Sequence, residues 1–322
     1  MLEDKIKKQW FTGFLVAVFS LVMLEPSGML IKTGLVLKSH SGSEVIIFII
    51  FIISGLLIEG DQIKAGIKDF TATFLALFLI VVVSPAAAVI LSQFPLETGM
   101  VVGIFIVAVM PTTLSSGVVM TGIAGGNMAH ALFITILSNG ISILSIPLIL
   151  PFILGFLNPE RNLDIDPAGI IIKLCGLVLF PLIIGIALKS LSHSFSRISE
   201  SVLQIINQSL ILLIVFISVC SARSVLIQSG MAFLYVIAIT VFFHLSLLFS
   251  AFLLVKLFNI GKGRYESVVF MGTQKTLTLS VMIQVSYFDE FGAALLVCII
   301  HHIVHLLMDG YLSAKLKDAN IL

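Results

Sequence analysis

Charged side chains are scarce in this chain, because Asp, Glu, Lys and Arg together make up 11% of its 322 residues. Soluble domains carry about 25% charged residues, so the composition excludes a water-soluble globular protein. The net charge of +1 gives no reason to expect nucleic acid as a partner. The sequence also lacks a nucleophile elbow, a phosphate-binding loop and a pair of catalytic carboxylates. It therefore predicts no enzyme, no catalytic residue and no organic cofactor.

Cysteines are also few. Cys175, Cys220 and Cys298 stand in apolar segments and lack the spacing of metal ligands. We interpret them as small packing residues, so the cysteines predict no metal site.

Apolar residues fill most of the sequence, at 59% of the chain and with a mean hydropathy of +1.18. A helix needs about 20 mainly apolar residues to cross a bilayer, so the chain has room for about ten crossings. Segments this apolar match membrane helices rather than the strands of a barrel. The sequence predicts an all-α polytopic membrane protein, with one transmembrane domain over residues 1–322. The predicted spans are 10–30, 44–58, 70–93, 98–123, 127–156, 168–188, 202–222, 230–256, 266–286 and 291–313.

Lys and Arg indicate the orientation, since cytoplasmic loops carry an excess of these residues. If the N-terminus is cytoplasmic, most loop cations fall on that side, among them Lys64, Lys189 and Lys262. Lys32 and Arg161 are among the few that fall outside. The bias predicts a multi-pass protein of the cell membrane (inner or plasma) with both termini in the cytoplasm.

Two apolar segments are interrupted by polar residues, the fourth at 111–117 and the ninth at 272–276. Non-helical backbone at membrane depth must line a cavity or be buried in protein, and paired interruptions are typical of a transporter's binding site. The first and sixth spans begin near residues 10 and 168, and the same offset carries the first interruption onto the second. We predict two five-helix repeats, residues 1–157 and 158–322. They are inverted because each contains an odd number of spans.

The fourth-span interruption admits two interpretations. Pro111 removes a backbone donor, and the hydroxyls that follow can serve as ligands. Alternatively, the segment is a proline kink in which those hydroxyls satisfy freed backbone groups. The paired interruption favours a binding site.

Lys275 is the single most informative residue, because it lies deep in the ninth span, where burial of a charge costs several kcal/mol. It can hold an anionic substrate, supply a fixed positive charge or titrate; alternatively, it pairs with a carboxylate for structural reasons. The predicted substrate-binding residues are Thr112, Thr113, Ser115, Ser116, Gln274, Lys275 and Thr276.

Histidines and small polar residues occupy two other spans. Thr135, Ser138 and Asn139 share one face of the fifth span, either as an oxygen-rich wall or as helix packing. In the tenth span, His301 and His305 are one turn apart and Asp309 follows one turn later, with His302 beside them. These groups indicate interhelical hydrogen bonds, with a proton relay or a metal site as the alternatives.

The motifs together resemble the bile acid:sodium symporter superfamily, in particular its SBF-like branch, which includes the seventh member of the vertebrate solute carrier family 10. The likeness extends over most of the chain. The segments that carry it are 24–27, 54–56, 110–116, 119–121, 125–127 and, most specifically, 272–279 (GTQKTLTL).

The resemblance implies a bile acid:sodium symporter-like fold in which broken helices 4 and 9 cross near the midplane. Spans 1, 2, 6 and 7 would form a panel and the remaining six a core. An organic anion would dock on the panel side of the crossing and sodium ions behind it. The ion-binding residues this implies, together with the fifth-span face, are Ser115, Ser116, Thr135, Ser138, Asn139 and Gln274.

Departures from the family pattern weaken the predicted sodium sites. Phe270 stands where relatives have a glutamate shared by both sites, Ala131 replaces a serine, and no partner is evident near Leu77 for a third-span glutamine. Lys275 stands where relatives have an asparagine beside the substrate. A phenyl ring cannot coordinate a hard cation.

We therefore predict a secondary active transporter of a small organic anion that works by alternating access in the lipid bilayer. Its sodium coupling is weakened or replaced, and the candidate coupling ions are sodium and the proton. The alternative is a non-transporting membrane protein of the same fold that senses a ligand or modulates ion homeostasis. A more remote alternative is an intramembrane metalloenzyme that uses the tenth-span histidines.

Overall fold

Every regular element in the described residues is helical. A computed structural model describes residues 2–57, 69–113, 116–156, 167–191, 199–228 and 232–319. The first half contains α1 (Leu2–Leu24), α2 (Met29–Ser39), α3 (Gly42–Leu57), α4 (Phe70–Phe78), α5 (Ser84–Leu91), α6 (Thr98–Val109), α7 (Ser116–Ile123) and α8 (Met128–Leu154). The second half contains α9 (Pro167–Leu174), α10 (Phe180–Leu191), α11 (Glu200–Gln228), α12 (Ala232–Leu257), α13 (Tyr265–Thr273), α14 (Leu277–Tyr287) and α15 (Gly292–Ala319).

The helices are long and apolar enough for a membrane. Six helical segments in the described ranges qualify as spans, and a seventh forms if the bent pair Val16–Leu24 and Met29–Ser39 counts as one. Gly42–Leu57 and Thr98–Val109 are shorter apolar helices. The all-helical membrane fold is thus confirmed, while the count of ten crossings stays a prediction.

The first predicted span, 10–30, ends early as a helix, at Leu24. The chain then bends by 114° into α2, which continues to Ser39, because α1 ends before Glu25-Pro26 and α2 starts after Gly28. Proline cannot continue the hydrogen-bond ladder, and Gly28 has φ +73°, which glycine adopts without strain.

Apolar side chains face outward along the long helices, as expected of surfaces in contact with lipid. Many of them on α8 and α12 are more than half exposed. Examples are Leu144, Leu148, Phe152, Leu234, Tyr235, Phe242 and Phe249.

One π-helical turn interrupts the third span at Leu79–Val83, between α4 and α5. Ser84 N–H donates to the carbonyl of Leu79. The next residue, Pro85, has no N–H. It therefore cannot make the next π-type hydrogen bond, which would end on the carbonyl of Ile80. That oxygen is free to bind a group from elsewhere.

The helices form two packed groups. In one, α3 packs on α10 and α11, and α1 and α2 pack on α11. Gly55 and Gly185 allow the close approach of α3 and α10, since a Cβ on Gly185 would lie 2.1 Å from the carbonyl oxygen of Ile52. In the other group, α15 packs on α6, α7, α12 and α14, while α13 packs on α4, α7 and α12. We call the first group the panel and the second the core.

Both predicted interruptions are breaks in helices. The first break lies between Val109 and Ser116, where Met110 is extended (ψ 146°) because a residue before proline avoids the helical region. The second break lies between Thr273 and Leu277, where Gln274 (ψ 147°) and Thr276 (ψ 130°) are extended. Discontinuous helices in the fourth and ninth spans are therefore confirmed.

Candidate functional site

The two breaks touch each other through their backbones. Thr276 N–H donates to the carbonyl of Pro111 at 3.0 Å. Because both segments are non-helical here, their peptide groups are free to pair across the contact. We call this meeting of the two breaks the crossing.

Side chains of both breaks form a triangle of three oxygen atoms. The hydroxyls of Thr113 and Ser116 each lie 2.8 Å from Gln274 Oε1 and 2.8 Å from each other. Thr113 Oγ1 also accepts from Gly117 N–H at 3.2 Å. Three oxygens without a formal charge hold the two breaks together.

The other end of the Gln274 amide faces a buried carboxylate. Gln274 Nε2 donates to Asp309 Oδ2 at 2.9 Å and contacts Met120 Sδ at 3.0 Å. Asp309 Oδ1 lies 2.9 Å from His244 Nε2, and both of these side chains are 0% exposed. Asp309, which the sequence connected only with the histidines, thus belongs to the crossing.

Lys275 points away from the oxygen triangle to a set of backbone carbonyls. Its Nζ lies 3.1 Å from the oxygens of Ala108 and Met110 and 3.4 Å from that of Ile80. These are carbonyls of the last turn of α6, of the first break and of the π turn, which all lack helical donors. The C-terminal dipole of α6 also favours a positive charge there.

A cavity of about 70 Å³ lies between the panel and the crossing. On the panel side it is lined by Phe11, Ile50, Phe51, Ser54, Asn207, Gln208 and Ile211. On the core side it is lined by Thr112, Thr113, Ser116, Asn139, Thr276, Leu277, Thr278 and His302. None of the lining residues that the structure describes is Asp, Glu, Lys or Arg.

Helix starts face this cavity. The first residues of α7 and α14, Ser116 and Leu277, are in its wall, and helix N-termini carry a partial positive charge. Thr112 Oγ1 is buried and has no hydrogen-bond partner among the described residues. The cavity therefore offers hydrogen-bond donors and a positive potential without a charged side chain.

The predicted substrate residues separate into two groups. Thr112, Thr113, Ser116 and Thr276 line the cavity, whereas Gln274 and Lys275 lie behind its wall. Ser115 is outside the described residues. The lysine amine therefore bonds to carbonyls and does not line the cavity.

The predicted ion-binding residues of α8 bond mainly to their own helix. Thr135 Oγ1 donates to the carbonyl of Ala131 at 3.0 Å and lies 3.5 Å from that of Thr113. Ser138 Oγ and Asn139 Nδ2 donate to the carbonyl of Thr135 at 3.0 and 2.9 Å. Only Asn139 of these also lines the cavity.

Several lining residues were missed by the sequence reasoning. Asn207 and Gln208 are two adjacent amides in the mainly apolar seventh span, and that pattern could have identified them. Thr278 follows the ninth-span interruption, and Ser54 belongs to a segment noted only for its resemblance.

The tenth-span histidines pack as a buried cluster. His305 Nε2 lies 2.9 Å from His302 Nδ1, and the rings of His301 and His305 are 5.4 Å apart. Within the part of the chain that the structure describes, no group of three or more His, Cys, Asp or Glu residues is arranged to hold a metal ion.

The departures from the sodium-site pattern are buried in the core. Phe270 and Ala131 are both 0% exposed. Phe270 thus places a phenyl ring, which has no metal-binding oxygen, in the interior on the helix that leads to the second break.

Comparison with known families agrees with this geometry. A profile of the SBF-like CPA transporter family matches residues 9–318. The chain belongs to this family. It is a family of transporters, so the prediction that the chain is not an enzyme is confirmed.

Two named relatives show what the chain is similar to. It is 32% identical over 279 residues to the probable sodium/metabolite cotransporter BASS4, chloroplastic, of Arabidopsis thaliana, a match that covers 82% of this chain and 63% of the relative. It is 24% identical over 330 residues to the sodium/bile acid cotransporter 7-A of Xenopus laevis, covering 98% and 94%. The chain thus spans less than two thirds of the Arabidopsis protein.

Proposed function

We propose that the chain is a secondary active transporter that moves a small organic anion across the membrane by alternating access. The observation that carries the proposal is the cavity between panel and core, which touches both helix breaks. Substrate sites between discontinuous helices are the rule in transporters of this design.

An anion suits the cavity for electrostatic reasons. The starts of α7 and α14 face it, and helix N-termini bind anions through free N–H groups and the helix dipole. The Thr112 hydroxyl adds an unused donor. Since the described part of the lining contains no carboxylate, an anion meets no fixed negative charge from those residues.

The small size of the cavity supports a moving panel. Sites for drug-sized ligands measure about 300–1,000 Å³, whereas this cavity is about 70 Å³. An organic anion enters only if panel and core separate. Separation toward one side of the membrane and then the other is alternating access.

Sodium coupling is weakened because the charges that would bind the ion are replaced. Oxygen ligands hold a hard cation best when some are carboxylates, and Phe270 supplies none. The Lys275 ammonium binds the carbonyls of Ala108 and Met110 and takes the place of a free cation there. What remains is a weak ion site at the neutral oxygens of Ser116 and Gln274, with Ser115, Thr135, Ser138 and Asn139 as the other candidates.

The inverted repeats, residues 1–157 and 158–322, belong to the same proposal. The hydrogen bond from Ser116 to Gln274 joins residues 158 positions apart, which equals the offset between the first and sixth spans. We place the transporter in the cell membrane with both termini in the cytoplasm.

Uptake into liposomes tests the proposal. Purified protein is reconstituted and offered labelled carboxylates and sulfonates with and without a sodium gradient, and with a proton gradient as the second arm. We expect saturable uptake without sodium. Strict dependence on two sodium ions would refute the weakened coupling, and absence of uptake for all anions would favour the ligand-sensing alternative.

Chemical rescue isolates the role of Lys275. In a Lys275→Ala variant, the three carbonyls lose their bound cation, and uptake is expected to fall. Ammonium or methylammonium should restore part of it, and sodium should do so less well, because an amine reproduces the lost N–H donors. Normal uptake by the variant without any amine would remove Lys275 from the mechanism.

A further inference from the structure

The orientation of the Gln274 amide is fixed by one neighbour. Hydroxyl groups can donate or accept, so Thr113 and Ser116 would tolerate either end of this amide. A carboxylate only accepts. Asp309 Oδ2 lies 2.9 Å from Gln274 Nε2 and thus requires the nitrogen to face α15 and the oxygen to face the hydroxyls.

Asp309 is held rigidly enough to impose this choice. Its second oxygen lies 2.9 Å from His244 Nε2, and the side chains of Asp309 and His244 are 0% exposed. Gln274 is also fully buried. Water therefore cannot replace either bond, and reversal of the amide would place the Gln274 oxygen against a carboxylate oxygen.

The hydroxyl hydrogens follow from the amide orientation. Gln274 Oε1 has no hydrogen, so the three contacts of the oxygen triangle, each 2.8 Å, share only two hydrogens. Whichever two contacts contain the hydroxyl hydrogens, both hydrogens lie between oxygens of the triangle. Ser116, the more exposed of the two hydroxyls, then turns lone pairs toward the cavity.

We propose that Asp309 is a positioning residue that sets the hydrogen-bond polarity of the crossing, so that the cavity offers acceptors at Thr113 and Ser116 and donors at Thr112 and the helix starts. The substrate class that fits both sides is an organic anion with a hydrogen-bond donor next to its anionic group, such as a 2-hydroxy acid. The substrate class rests on the proposed function, whereas the role of Asp309 does not.

A mutant cycle tests the positioning role without any ligand. Asp309→Asn replaces Oδ2 by an NH₂ group and can keep the bond to His244 through Oδ1. The new NH₂ group then faces the NH₂ group of Gln274, and neither can accept a hydrogen bond. The unfolding temperature in detergent should therefore fall by roughly 5 °C. Gln274→Glu should also destabilise, because two carboxylates then face each other.

The double variant tests whether the two single losses have a common cause. In Asp309→Asn with Gln274→Glu, the new amide donates to the new carboxylate, and the other Glu oxygen accepts from Thr113 and Ser116 as before. We expect the double variant to recover most of the lost unfolding temperature. Additive losses, or a double variant that does not fold, would overturn the proposal.

Asp289→Asn is the matched control, because Asp289 is exposed and its only described ion pair is with Lys38 at the surface. It should lower the unfolding temperature much less than Asp309→Asn does, because a solvent-screened pair contributes only about 0–1 kcal/mol. If Asp309→Asn alone gives no folded protein, recovery in the double variant still supports the proposal.

Three related acids test the substrate class: 2-hydroxypropanoate, 2-oxopropanoate and propanoate. Binding to the wild-type protein, followed by thermal shift, should favour the hydroxy acid by about tenfold in Kd. Asp309→Asn should lose that preference. Equal binding of the three acids, or binding of none, overturns this substrate class; uptake of other anions would still leave the proposed transport function standing.

Discussion

The two helix breaks meet at one point but contribute different chemistry. The first has a proline and two hydroxyls that meet Gln274, and together with the end of α6 it presents the carbonyls of Ala108 and Met110 to Lys275. The second has no proline; it donates through the Lys275 amine and the Thr276 N–H, and it accepts both hydroxyl contacts at Gln274 Oε1. Carbonyls on the first side thus meet donors of the second, hydroxyls of the first meet an acceptor of the second, and each break satisfies buried polar groups of the other.

Gln274 and Lys275 are adjacent in sequence, yet their side chains point to opposite sides of the second break. In extended backbone, successive side chains point in opposite directions. Gln274 therefore reaches the oxygen triangle and Asp309, while Lys275 reaches the π turn and the end of α6. A helix at this position would place both side chains on neighbouring faces.

Removal of the donor from the second break should have the largest effect. Lys275→Met keeps most of the unbranched side chain but removes the ammonium. The carbonyls of Met110 and Ile80 then lose their described partner, at about 1–3 kcal/mol for each unsatisfied group, whereas Ala108 keeps its bond from Ser84 Oγ. We expect a lower unfolding temperature and at least about a hundredfold loss of uptake. Lys256→Met, on an exposed part of α12, is the control. Wild-type stability in Lys275→Met would show that the two breaks do not depend on each other in this way.

Introduction of the sodium-site residues that the resemblance implies, at and just before the second break, should increase the response of uptake to sodium. The double variant Phe270→Glu with Lys275→Asn supplies a carboxylate and frees the carbonyls, so sodium should stimulate uptake by at least about tenfold. The same variant with Phe270→Gln lacks the charge and should respond far less. Equal sodium stimulation of both variants would contradict a charge-based account of coupling.

Loss of one donor at the first break should have a moderate effect. Thr112→Val preserves shape but removes the buried, unpartnered hydroxyl of a residue that lines the cavity, and a hydrogen bond to an anion contributes about 1.5–3 kcal/mol. The apparent Kd of a bound anion should rise by about tenfold or more. Thr240→Val, whose hydroxyl bonds only to carbonyls of its own helix in the described contacts, should leave this Kd unchanged.

The surface ion pair of Lys38 and Asp289 gives the smallest expected effect. Nζ and Oδ1 are 2.8 Å apart, but the carboxylate side chain is 60% exposed. Solvent screens such pairs, which contribute about 0–1 kcal/mol. Lys38→Ala should therefore shift the unfolding temperature by no more than a few degrees, and a loss as large as that of Lys275→Met would be unexpected.

The sequence allowed the helical membrane fold and both breaks to be predicted, because apolar length, a proline in the first break and polar residues in both act locally. It did not reveal the partners of Lys275, because they are backbone carbonyls, which every residue type has. Asp309 was noted beside the histidines, but its contact with Gln274 spans 35 positions and depends on how α15 packs. The panel side of the cavity was missed for the same reason, although Asn207 and Gln208 were visible as polar residues.

The π turn at Leu79–Val83 has an evolutionary consequence. Such a turn holds one residue more than an α-helical turn, so it can arise from the insertion of a single codon into an ordinary helix. That one event would have turned the oxygen of Ile80 toward the protein interior. Deletion of one residue from this segment would rewind the helix and withdraw that oxygen from Lys275 Nζ, which lies 3.4 Å from it.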